Sequence, residues 1–178
     1  PSFKTVQDRK FVKDRFKGMK NKVYLADLTH TENGIMALTF PLGTAFVATY
    51  ANQVLGDDFD FRLFKFPDQL TQAIIESPPC VLALSNYSWN LELGYKLSAW
   101  AKQRDPNLIV VFGGPNFPVS TDEKLEFLRE RSVVDVYVEN EGEVGFASLL
   151  RKLDEYGFDI AAFKGSHEPV GNCTYLNG

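Results

Sequence analysis

The chain has 178 residues, of which 44% are hydrophobic and 13% aromatic, so it can bury one substantial core, and its length favours a single domain. No segment approaches the roughly 20 apolar residues of a membrane-spanning helix, and no basic segment followed by an apolar run marks a secretory signal. We therefore expect a cytoplasmic protein without a membrane span. The two cysteines, Cys80 and Cys173, lie far apart without paired spacing, which argues against a disulfide framework or a zinc site.

The net charge of −4 is unevenly distributed along the chain. Residues 1–22 contain eight Lys or Arg against two Asp, so the remainder is acidic. An acidic body repels phosphate backbones, and nucleic acid is therefore not an expected partner. We interpret residues 1–21 as a basic helical arm that packs on its own protein.

Apolar runs and helical periodicities alternate along the rest of the chain. Short apolar runs typical of buried strands lie at 23–28, 80–84, 108–112 and 133–138, and an alternating run at 59–66 predicts a strand nearer an edge of the sheet. Between them, helical spacing or helix-start signals predict helices at about 45–55, 67–75, 91–104, 121–131 and 143–156.

Five strands separated by helices require right-handed crossovers. The sequence thus predicts an α/β domain over residues 22–157, with a doubly wound, five-stranded parallel sheet of flavodoxin-like, Rossmann-like type and strand order 2-1-3-4-5. Residues 158–178 contain isolated apolar residues and scattered glycines, which favour a linker that leaves the domain.

Three polar or glycine-rich segments directly follow predicted strands: 85–90, 113–116 and 139–143. Ligands of open α/β sheets bind outside the carboxyl ends of the strands, so these segments predict one shared binding surface. The topological switch point lies between strands one and three, beside Asp27 and Ser85. The pair Gly113-Gly114 would let a large flat ligand approach the backbone, although a simple tight turn also explains it. Neither glycine-rich phosphate-binding signature is present.

Four motifs in this order resemble a known family over roughly residues 20–155. They are Pro41-Leu42-Gly43, Ser85-x-Tyr87-x-Trp89-Asn90, Val110-Val111-Phe112-Gly113-Gly114-Pro115 and Glu141-Gly142-Glu143-x-x-Phe146-x-x-Leu149-Leu150. Together they resemble the cobalamin (vitamin B12)-binding domain that precedes the catalytic barrel in many radical S-adenosylmethionine enzymes.

The resemblance implies that the corrin lies over the carboxyl ends of the strands and that the nucleotide tail descends between strands one and three. The residues that it assigns to cofactor binding are Thr29, His30, Gly43, Ser85, Asn86, Tyr87, Trp89, Asn90, Gly113, Gly114, Pro115, Asn116, Glu141, Gly142 and Glu143. It further implies cobalamin as cofactor, S-adenosylmethionine and a 4Fe-4S cluster in the parent enzyme, and a radical S-adenosylmethionine barrel in the same polypeptide as partner.

Two departures from the family's pattern limit what this chain is expected to do. Relatives that ligate cobalt through a histidine use Asp-x-His-x-x-Gly, whereas Asp27, His30 and Gly34 are spaced Asp-x-x-His-x-x-x-Gly, so His30 is not expected to be the cobalt ligand. The chain also lacks Cys-x-x-x-Cys-x-x-Cys, the motif that would hold the iron–sulfur cluster. We therefore expect an excised amino-terminal domain that is not catalytic alone.

Two other classes of function fit parts of the pattern. A cofactor-free interaction or receiver module shares the architecture, but a receiver needs clustered carboxylates after strand one and an Asp after strand three, where this chain has Asp27 and Ser85. A hydrolase built on Ser85 or Ser88 with His30 or His167 as base lacks the Gly-x-Ser-x-Gly elbow. Tyr87 and Trp89 could also be core aromatics, and Asn90 is a candidate cap for the following helix.

Overall fold

The computed structural model of the chain describes residues 20–30 and 40–177. The predicted basic arm, residues 1–21, lies almost entirely outside these residues. Among these residues, no helix has the combined length and hydropathy of a membrane span.

The described residues form strands and helices in regular alternation. The strands are β1 (Asn21–Ala26), β2 (Phe59–Phe64), β3 (Val81–Ser85), β4 (Ile109–Gly113), β5 (Val136–Val138) and β6 (Cys173–Thr174). The helices are α1 (Leu42–Leu55), α2 (Pro67–Glu76), α3 (Leu91–Arg104), α4 (Thr121–Glu130), α5 (Gly142–Glu155) and α6 (Ile160–Gly165), and a 3₁₀ turn (Gly56–Asp58) links α1 to β2.

The strands form one sheet in the order β2-β1-β3-β4-β5-β6. The first five are parallel, which confirms the predicted α/β fold and the order 2-1-3-4-5, while β6 runs antiparallel to β5 with Cys173 opposite Val138. Alternate residues of each strand enter two separate cores, because successive side chains of a strand point to opposite faces. Helices α1, α5 and α6 cover one face, and α2, α3 and α4 cover the other.

Small residues set how closely α1 and α5 approach the sheet. In α1 the alanines Ala48 and Ala51 are buried, whereas the larger Phe46 and Tyr50 face outward. A Cβ atom placed on Gly145 of α5 would lie 2.9 Å from Cγ1 of Val138, so only glycine fits there without a shift. The two helices therefore pack their amino-terminal turns against the carboxyl ends of the central strands.

The sequence predicted five strands and a linker over residues 158–178, whereas the sheet has six strands. Residues after 157 form α6 and β6, and Phe163 is fully buried in the core that α1 and α5 share. Aromatic contacts fix this segment, with Phe163 5.0 Å from Tyr175 and Phe158 6.2 Å from Phe59, measured between ring centroids. A two-residue strand has no detectable periodicity, so the sequence pattern alone suggested a linker.

Candidate functional site

A cavity of about 240 Å³ opens at the carboxyl edge of the sheet, between α1 and α5. Its floor comprises the strand residues Leu25, Ala83, Val111 and Val138. All four point to the same face of the sheet, and Ala83, opposite Leu25 in the register, is the smallest of them. The small side chain at the centre of the floor leaves room that a leucine or valine there would fill.

The amino-terminal turns of the two helices form the walls of this cavity. Gly43, Thr44 and Val47 come from α1, and Gly142, Glu143 and Phe146 come from α5. A Cβ atom on Gly142 would lie 3.4 Å from Cγ2 of Val47, which shows how closely the two walls approach. The mouth of the cavity lies where the three predicted binding segments meet. These segments, 85–90, 113–116 and 139–143, form the rim of the cavity.

Seven of the residues predicted from the sequence line the cavity, namely Gly43, Ser85, Tyr87, Gly113, Gly114, Gly142 and Glu143. The other eight are not among its lining residues, namely Thr29, His30, Asn86, Trp89, Asn90, Pro115, Asn116 and Glu141. The structure also adds residues that the sequence reasoning missed, which are Leu25, Thr44, Val47, Ala83, Leu84, Val111, Phe112, Val138, Asn140 and Phe146. The alternation along the strands could have indicated those on the α1 and α5 face.

One polar network fixes the segment after β3 to the end of β1. The hydroxyl of Ser85 donates to Oδ1 of Asp27 at 2.5 Å, and Nδ2 of Asn90 lies 3.2 Å from Oγ of Ser85 and 3.4 Å from both Oδ1 of Asp27 and the carbonyl oxygen of Leu28. Oδ1 of Asn90 accepts from the backbone N–H of Tyr87 at 2.8 Å. Asn90 occupies the N-cap position of α3, but its side chain does not cap the helix, because it bonds back to the loop instead.

A second polar network joins the segments after β3 and β4. Asn86 is fully buried, and its Nδ2 donates to the carbonyl oxygen of Asn116 at 2.6 Å and to the hydroxyl of Tyr137 at 3.0 Å. Nδ2 of Asn116 returns a bond to Oδ1 of Asn86 at 3.2 Å. Since these partners already occupy the Asn86 amide, this residue shapes the rim from below.

The turn at Gly114 requires glycine for two physical reasons. Its φ angle is +125°, a backbone conformation that residues with a side chain rarely adopt. A Cβ atom there would also lie 2.7 Å from the carbonyl oxygen of Asn86. The backbone of the two segments can therefore approach each other only with glycine at this position. This geometry is consistent with both interpretations of Gly113-Gly114, a tight turn and a backbone surface that a flat ligand can approach closely.

Two aromatic rings form an exposed ledge beside the mouth. The rings of Tyr87 and Trp89 stack with centroids 4.4 Å apart and planes 9° apart. Trp89 is 49% exposed, so it is not a core aromatic residue. Nε2 of His30 lies 2.9 Å from the carbonyl oxygen of Trp89, which ties the loop after β1 to this ledge.

The rim segment 139–141 contacts β6 and Asn172, the residue just before it. The sequence analysis did not predict this strand. The backbone N–H of Glu139 donates to the carbonyl oxygen of Asn172 at 2.7 Å, and Nδ2 of Asn172 lies 3.3 Å from Oε2 of Glu141. The Glu139 carboxylate also bonds to Lys124 and to the hydroxyl of Thr174. These contacts fix the segment 139–141, whose Asn140 has a φ of +52°.

Two observations concern the other functions considered from the sequence. Among residues 20–30 and 40–177, no three His, Cys, Asp or Glu side chains come together as a candidate metal site. The hydroxyl of Ser85 bonds to Asp27 and Asn90, whereas the ring of His30 bonds to Trp89. In this part of the chain, Ser85 therefore has no histidine base.

Comparison with protein families identifies the class that the fold and this rim define. Residues 36–150 match the B12 binding domain. Because this match covers more than half of the chain, the chain belongs to the B12-binding domain family.

Two curated proteins share part of their sequence with this chain. It is 37% identical over 122 residues to 2-(S-pantetheinyl)-carbapenam-3-carboxylate methyltransferase of Streptantibioticus cattleyicolor, a match that covers 66% of this chain and 18% of that protein. It is also 37% identical over 116 residues to the cobalamin-dependent radical SAM methyltransferase TokK of Streptomyces tokunonensis, covering 62% of this chain and 16% of that protein. The match therefore spans less than a fifth of the length of these relatives.

Solved structures share the fold at low sequence identity. A cobalamin-binding protein from Desulfitobacterium hafniense DCB-2 superposes with a TM-score of 0.54 and 17% identity, covering 82% of this chain and 66% of that one. The receiver domain of NtrC4 from Aquifex aeolicus superposes with a TM-score of 0.51 and 16% identity, covering 78% of this chain and 99% of that one. Both support the α/β architecture.

Proposed function

We propose that this domain binds cobalamin at the carboxyl edge of its sheet and serves as the cofactor-carrying module of a larger radical S-adenosylmethionine enzyme. The observation that carries the proposal is the cavity between α1 and α5, which opens at the same edge as the Gly113-Gly114 turn. The cavity forms a mostly apolar slot beside a glycine-lined rim, and this shape suits a ligand with a narrow tail and a broad flat head. Membership of the B12-binding domain family is consistent with this ligand.

The slot fits the aromatic base of the nucleotide tail. Its floor of Leu25, Ala83, Val111 and Val138 is apolar, and burial of a flat base there would be favoured by the hydrophobic effect. The cavity volume of about 240 Å³ admits such a base and excludes the much larger corrin. The corrin would therefore stay at the mouth.

The rim offers groups that match the rest of the ligand. Gly113 and Gly114 present backbone without side chains, so a planar ring can approach them, and the stacked Tyr87 and Trp89 would lie along the edge of that ring. Helices α1 and α5 both begin at the mouth, and neither N-cap side chain bonds to its own helix. Free backbone N–H groups at helix amino termini favour phosphate, which the tail carries.

Cobalamin supplies a cobalt centre that can carry and transfer an alkyl group, and the protein supplies position and exclusion of water. Ser85 and Asn90 would hold the loop at the switch point through their bonds to Asp27. His30 is not proposed as a cobalt ligand. Its Nε2 bonds to the carbonyl oxygen of Trp89 and contributes to holding the ledge.

In this proposal the domain is part of a much longer polypeptide, as the matching segments of the two relatives are. S-adenosylmethionine and the 4Fe-4S cluster would then be held by a barrel in the same chain, a proposal supported by the name of TokK as a radical SAM methyltransferase. Because residues 158–174 pack on the domain, the connection to such a barrel would begin after β6. This domain alone would not catalyse the reaction.

The experiment tests the ligand and the slot together. The purified chain is mixed with hydroxocobalamin, passed over a gel-filtration column and scanned for the visible absorption of the cofactor. We expect stoichiometric retention by the unmodified chain. Ala83→Leu should lose most of this retention, because the added carbons fill the slot, while Ala161→Leu on the exposed side of α6 serves as the matched control.

Each result is decisive for a different part of the proposal. Absence of retention and of any spectral change with the unmodified chain would refute cobalamin binding. Retention by Ala83→Leu equal to that of the unmodified chain would refute the slot as the place of the tail. Circular dichroism of all three proteins checks that the fold is preserved.

A further inference from the structure

The side chain of Tyr137 contacts residues of two rim segments, those after β3 and β4, from inside the core. It is fully buried in β5, on the face of the sheet opposite the cavity. Its ring stacks on Phe117 with centroids 3.7 Å apart and meets Phe127 edge-on at 5.9 Å. The ring therefore cannot move without disturbing the loop that follows β4.

The hydroxyl of Tyr137 connects this buried ring to the glycine turn. It donates to the carbonyl oxygen of Gly114 at 2.8 Å and accepts from Nδ2 of Asn86 at 3.0 Å. Burial raises the pKa of Tyr137 well above its ordinary value, so the hydroxyl keeps its proton and remains a donor at neutral pH. The direction of the Gly114 carbonyl is thereby set from inside the core.

The same turn would be hard to hold by its own backbone. Gly114 has a φ of +125°, and glycine has more accessible conformations than any other residue. Two backbone hydrogen bonds tie the two rim segments together. The N–H of Asn86 donates to the carbonyl oxygen of Gly113 at 2.6 Å, and the N–H of Asn116 donates to the carbonyl oxygen of Asn86 at 3.2 Å. Tyr137 is the side chain that anchors this pair of segments to β5.

We infer that Tyr137 is a positioning residue for cobalamin, which holds the Gly113-Gly114 turn in the shape that receives the corrin. The inference rests on the proposed function. Tyr137 would not touch the ligand, because it lies on the other face of the sheet and acts only through Gly114 and Asn86. Its hydroxyl, rather than its ring, carries this role.

The test uses two matched substitutions. Tyr137→Phe keeps the stacked ring and removes only the hydroxyl. Tyr24→Phe removes a similar buried hydroxyl that donates to the carbonyl oxygen of Ser77 at 2.6 Å, where α2 ends at the opposite edge of the sheet. Tyr24→Phe loses one hydrogen bond and Tyr137→Phe loses two, so both should lose stability in urea unfolding and Tyr137→Phe somewhat more.

Only one of the two variants should lose affinity for hydroxocobalamin. We expect Tyr137→Phe to bind it about fivefold to tenfold more weakly, the effect of one misplaced hydrogen-bonding unit at the rim, and Tyr24→Phe to bind within about twofold of the unmodified chain. Equal affinity of Tyr137→Phe and the unmodified chain would overturn the inference. Equal weakening in both variants would overturn it too, because the effect would then follow stability alone.

A measurement without ligand separates this inference from the proposed function. Amide hydrogen exchange of Asn86 and Asn116 reports the two bonds that join the rim segments. Tyr137→Phe should raise both rates several-fold, and Tyr24→Phe should leave them unchanged; unchanged rates in Tyr137→Phe would refute the positioning role. If the unmodified chain binds no cobalamin, the proposed function fails, and the exchange rates still decide whether Tyr137 holds the turn.

Discussion

Substitution of glycine by alanine at three positions tests the physical account of the Gly114 turn. At Gly114 an added Cβ meets two obstacles, a φ of +125° and backbone atoms of Asn86 at 2.7 Å and 3.1 Å. At Gly157 the φ is +60°, but the space around the Cβ is open. At Gly165 the space is open as well, and φ is not positive. The series thus separates conformational strain from overlap.

The expected losses follow from these geometries. Gly157→Ala should cost about 1 kcal/mol, the lower end of the cost of the left-handed conformation for a residue with a side chain. Gly114→Ala should cost about 2–4 kcal/mol, because a φ that only glycine adopts freely costs about 1–3 kcal/mol and the Asn86 backbone must also move. Gly165→Ala should be neutral or slightly stabilising, since alanine restricts the unfolded chain.

Urea unfolding followed by circular dichroism measures all three variants. The shift of the midpoint at constant slope gives the change in the free energy of unfolding. Thermal unfolding should show a midpoint lowered by about 5–15 °C for Gly114→Ala, as expected for a domain of this size. A Gly114→Ala variant no less stable than Gly157→Ala would show that the close approach to Asn86 does not exist in solution, and the reasoning about the rim would fail.

Two further expectations concern groups outside the rim. Burial raises the pKa of the Cys80 and Cys173 thiols to about 12, so both should react with a thiol-specific reagent at pH 8 much more slowly in the folded chain than in urea; rapid reaction of the folded chain would contradict this. Hydrogen bonds from Lys152 and then Tyr156 lower the pKa of Glu168 from its ordinary value of 4.5, so this exposed carboxylate stabilises the fold slightly above that pH and the effect is lost as the pH falls through the lowered pKa. Glu168→Gln should flatten the acid side of the stability profile a little, and an unchanged profile would speak against the contact.

The parallel part of the fold could be predicted from the sequence because buried strands and their helices leave strong local patterns. The runs that became β3 and β4 are almost entirely apolar, since both of their faces are covered. In α5, Leu149, Leu150 and Leu153 recur at helical spacing, and all three are buried. Residues 158–174 gave no such pattern, because α6 is short and β6 pairs through only two residues.

The candidate site was predictable in its outline and less so in the roles of its residues. The rule that ligands bind at the carboxyl ends of parallel strands located Ser85, Gly113 and Gly142 at the cavity. Polar residue type alone could not show that Asn86 and Asn90 are buried and bonded to the protein itself. Which side of a loop an amide faces depends on tertiary contacts, and the sequence carries no local signal for it.

The two faces of the sheet contribute to this site in different ways, as the alternation of side chains along β5 shows. Val138 points into the cavity, whereas its neighbour Tyr137 points into the opposite core and reaches the rim only through its hydroxyl. A change on the cavity face alters the space offered to the ligand, and a change on the other face alters the shape of the turn above it. Substitutions at Ala83 and at Tyr137 should therefore weaken cobalamin binding by separate routes, and their free-energy effects should add if the two faces act independently.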